Sequence, residues 1–156
     1  MFLLGLFTLQ DGSTRCAADF LRQALETIEN DQALRVEILV PLAFAELNLG
    51  RVEVAAAWAT EAVAAADRLD GSPLRSIALA MKVLVGFLSG HGIDDAAIGR
   101  AVELADRELA LTSLMNPDVL QAQLLAGSGR LHAAGEQLSD IRREYLDRGQ
   151  EGRRAG

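Results

Sequence analysis

The sequence predicts an all-α fold of about eight antiparallel helices. Three observations carry that expectation. Apolar residues recur at the spacing of a helix face along most of the chain, and no segment alternates with period two. Alanine and leucine, 26 of each in 156 residues, dominate the composition, whereas aromatic residues make up 4% and prolines number 3. Gly12, Gly50, Gly90 and Gly129 each close an apolar stripe, at intervals of 38, 40 and 39 residues. Evenly spaced helix pairs are the mark of an α-solenoid, here of about four helix–turn–helix repeats near 1–30, 31–71, 72–112 and 113–148. They form a single domain over 1–151, and 152–156 is expected to be a disordered tail.

The first element is the apolar stretch Met1–Leu9. A secretory signal would carry a positive charge before this run and a small-residue cleavage site after it; neither is present. A helix over 2–10 is expected instead, apolar on all sides. One buried stripe cannot hide so many large side chains, so Phe2, Leu3, Leu6 and Phe7 form an expected self-association edge and a homodimer.

The next helix, 14–29, carries Ala17, Phe20, Leu21, Ala24, Leu25 and Ile28 on one face. Val36, Leu39, Val40, Ala43 and Leu47 do the same for 32–49, where Pro41 is expected to kink the helix or delay its start. Over 52–69 the stripe is almost all alanine and valine. Asp70-Gly71 ends that helix, and Ser72-Pro73 opens 73–89 as N-cap and first-turn proline. Asp94 caps a helix over 94–110, and Asn116-Pro117 opens 117–127. The last helix, 131–148, aligns Leu131, Ala134, Leu138, Ile141 and Tyr145.

A register runs through these elements. Positions −7, +5 and +12 from the turn glycine are Gly5, Ala17 and Ala24 around Gly12. They are Ala43, Ala55 and Ala62 around Gly50, and Ala122, Ala134 and Ile141 around Gly129. Small side chains are needed where paired helices lie closest. Gly90 breaks the pattern with Val83, Asp95 and Val102, and Ala97 and Ala101 take over its small positions after a shift in the His91-Gly92-Ile93 turn. This arrangement resembles a divergent tetratricopeptide repeat, without that motif's aromatic and proline signature and with a longer period.

Three segments carry a more specific resemblance. They are Leu42–Leu69, Gly90–Leu104, and Pro117 through Leu124-Leu125-Ala126-Gly127-Ser128-Gly129-Arg130-Leu131 to Glu151. In order and spacing, across about residues 30–151, they resemble the helical-repeat region of the large ATP-binding regulators of the LuxR family. That resemblance implies a bacterial, cytoplasmic sensor arm that detects an inducer or a protein partner and passes the signal to a nucleotide switch. The switch itself needs a phosphate-cradling Gly-Lys loop, and the only lysine here, Lys82, does not follow glycine. The family's DNA-binding helix-turn-helix is also absent from the chain.

The remaining chemistry is sparse. A net charge of −7 opposes direct nucleic-acid binding. No uninterrupted apolar run reaches about 18 residues, so no membrane span is expected. Cys16, His91 and His132 cannot assemble a zinc site, no cofactor motif is present, and no nucleophile–base pattern points to an enzyme. His132 is expected to pair with Glu136 at the surface.

A binding groove is what is left. First helices of each pair line the concave side of a solenoid. The register assigns Glu37, Val40, Phe44, Leu47, Asn48, Phe87 and Gln123 to that groove, with a core role as the competing expectation for each. A mostly apolar groove suits an amphipathic helix of a protein partner or a hydrophobic small-molecule inducer. A free-standing adaptor that binds a protein partner, or an α-helical protein that binds a small molecule, are the alternative readings.

Overall fold

A computed structural model of the chain describes residues 13–69, 73–105 and 116–154, with backbone alone at 145 and 148–154. The described elements are all helical: α1 Thr14–Glu26, α2 Gln32–Asn48, α3 Val52–Ala66, α4 Pro73–Gly86, α5 Asp95–Leu104, α6 Pro117–Gly127 and α7 Leu131–Arg154. A widened π-type turn, Phe87–His91, leaves α4. The expected helix over 2–10, its edge residues Phe2, Leu3, Leu6 and Phe7, and Gly12 and Ser72 lie outside the described residues.

Local chemistry explains the helix ends. Asp31, Asp94 and Asn116 each accept a bond from a first-turn backbone N–H, of Leu34, Ala97 and Asp118, at 2.9–3.0 Å. Each satisfies a donor that the helix itself leaves unpaired. Pro41 does not delay α2, which starts at Gln32 and runs through it. The last helix, expected to close at 148, runs on to Arg154, and residues 155–156 lie outside the described residues.

The turns after α2 and α6 are the same structure. Gly50 (φ 74°) donates to Leu47 O and Arg51 N–H to Glu46 O; Gly129 (φ 84°) donates to Ala126 O and Arg130 N–H to Leu125 O, all at 2.9–3.1 Å. This is the Schellman closure, and the next helix begins one residue later in both cases. A Cβ at either glycine would meet no atom within 4 Å, so the requirement is purely the left-handed backbone. Gly50→Ala and Gly129→Ala should therefore cost about 1–2 kcal/mol each, with asparagine costing less than alanine. Urea unfolding midpoints check this; equal midpoints for Gly50→Ala and wild type would contradict it.

Packing follows chain order. Each described helix contacts its sequence neighbour where both are described, α2 also meets α4, and α4 and α5 both meet α6. The main core joins Val36, Leu39 and Ala43 of α2 to Ala55, Ala59 and Ala62 of α3 and to Met81 and Val85 of α4. A second cluster ties α1 to α2 through Leu21, Ile38 and Leu42. A third joins α4, α5 and α6 through Ala80, Ile98, Ala101, Leu120 and Leu124.

The register positions around Gly50 are all fully buried, and Ala17, Ala24, Ala122 and Ala134 are buried too. In the unit around Gly90 the shift is real but lands differently. Two left-handed glycines, Gly90 and Gly92, lengthen the turn, and α5 starts only at Asp95. Ala101 is fully buried as expected, but its buried companion is Ile98, while Ala97 is only partly covered. Ser76, also buried, donates its hydroxyl to Ala101 O at 2.5 Å and so pins α4 to α5.

One stretch departs from the membrane expectation. Pro73–His91 is long and apolar enough to cross a membrane by length and composition. Its buried side chains, among them Ala78, Ala80, Met81 and Val85, supply two of the three core clusters. A core helix shared between two packing layers needs that apolar character.

Candidate functional site

The residues expected to line a groove fall on α2, on the turn that leaves α4 and on α6; α2 packs against α4, and α4 against α6. Along α2, Glu37 and Asn48 are exposed, and the Asn48 side-chain amide donates to Phe44 O at 3.0 Å. Phe44 and Leu47 are partly buried against the main core. Val40 is 4% exposed and belongs to that core outright, so it cannot contact a partner. The reason is that α2 is apolar around most of its circumference and is covered by α1, α3 and α4 at once.

On the turn that leaves α4, Phe87 is half-buried against the third cluster. Its ring lies over Gly127, where a Cβ would sit 3.2 Å from ring atoms Cε1 and Cζ. Gln123 is exposed on α6, and Leu88 beside Phe87 is 54% exposed. Of the residues expected to line the groove, Glu37, Asn48 and Gln123 are exposed, and Phe44, Leu47 and Phe87 are partly buried. Together they are mixed in polarity and include no basic side chain.

The expected surface contact of His132 with Glu136 is present, Nε2 to Oε1 at 3.4 Å on exposed side chains. Cys16 is exposed. Among the described residues no group of three or more His, Cys, Asp or Glu side chains could hold a metal ion.

Two features went unread in the sequence. Glu46 is fully buried, and its carboxylate joins Arg22 of α1 through Oε1 and Arg51 of the α2–α3 turn through Oε2, the latter at 3.2 Å. The signal was available: Glu46 stands four residues after Leu42 and seven after Leu39, on an otherwise apolar face. The second is α7, which leaves Leu131, Leu138 and Leu146 about half exposed or more. Comparison of the chain with protein-family models, curated proteins and solved structures returns no match.

Proposed function

We propose that this chain is a non-enzymatic helical-repeat module, an α-solenoid of about four tetratricopeptide-like units. In this reading it serves as the interaction or inducer-sensing arm of a cytoplasmic bacterial transcriptional regulator of the LuxR type. The observation that carries the repeat is the paired Schellman turns at Gly50 and Gly129, each flanked by buried alanines at the same offsets. The order of helix contacts supports it, since the main partners are sequence neighbours or the next helix of the same row. The half-buried apolar edges along α2, α4 and α6 suit an amphipathic helix or a hydrophobic small molecule. Self-association through 2–10 belongs to the same reading.

Solution scattering tests the architecture. A compact domain of this length has a radius of gyration of about 15 Å. A dilute, monomeric sample should exceed that value clearly and show an elongated, curved profile; a compact profile would overturn the solenoid. The regulator reading is tested by the flanking reading frame. A phosphate-binding Gly-Lys loop upstream and a helix-turn-helix downstream are expected, and their absence would favour the free-standing adaptor.

A further inference from the structure

We draw no further inference here: the strongest candidate, the surface patch of exposed leucines Leu131, Leu138 and Leu146 on α7, carries nothing because nothing in the structure shows what covers it.

Discussion

Arg22→Met is expected to destabilise the protein by about 2–4 kcal/mol, a large share of the stability of a small domain. The reason is the position of its partner. Glu46 has no exposed surface, and its two carboxylate oxygens are served by Arg22 and Arg51. Without Arg22, a buried carboxylate keeps only Arg51, whose side chain is about half exposed. Removing the carboxylate is gentler. In Glu46→Leu the two guanidinium groups relax into water, and the loss should be about 1–2 kcal/mol. The pair Arg22→Met/Glu46→Leu should then recover most of the loss, because no buried charge is left unpaired. A double-mutant cycle from urea unfolding measures this, with a coupling of about 2–4 kcal/mol expected. Additive single losses would show that the ion pair does not act as a unit. The backbone closure at Gly50 should survive all three changes, since it uses Glu46 O and not the side chain.

The contrast between Gly50 and Glu46 marks how far the sequence could be read. A left-handed turn after a helix is a property of one residue type, and an N-cap is a property of one side chain and its neighbours. Gly50, Gly90, Gly129, Asp94 and Asn116 could therefore all be placed from the sequence alone. The all-helical class followed from periodicity for the same reason. Burial of a particular side chain depends on how many neighbours a helix has, and periodicity does not count neighbours. Val40 was assigned to a groove and sits in the core because α2 is covered from three sides. Ile98 displaced Ala97 because the turn after Gly90 is longer than those after Gly50 and Gly129. α7 runs past the expected 148 to Arg154 through Gly149 and Gly152, each of which costs a helix only about 1 kcal/mol. Which of the residues assigned to a groove are exposed is set by packing, which periodicity does not count.

The alanine register makes a prediction of similar size and of a different kind. Ala55 and Ala134 occupy the same place in two helix pairs, and both are buried. Leucine at either site has no space to occupy at a close helix contact, and overpacking of this kind costs about 1–3 kcal/mol. Ala57, exposed on the same helix as Ala55, is the control, and Ala57→Leu should change stability by less than about 0.5 kcal/mol. The distribution of the damage separates a repeat array from a single cooperative core. In an array each unit leans only on its neighbours. Ala134→Leu should then strip amide-exchange protection from α6 and α7 and leave α2 and α3 close to wild type. Ala55→Leu, which strikes the seam of α2 and α3, should lower protection in α1 through α4, because those helices share its clusters. Uniform loss of protection along the whole chain from Ala134→Leu would mean one undivided core, and the equivalence of the two turns would then be local geometry without a repeat behind it.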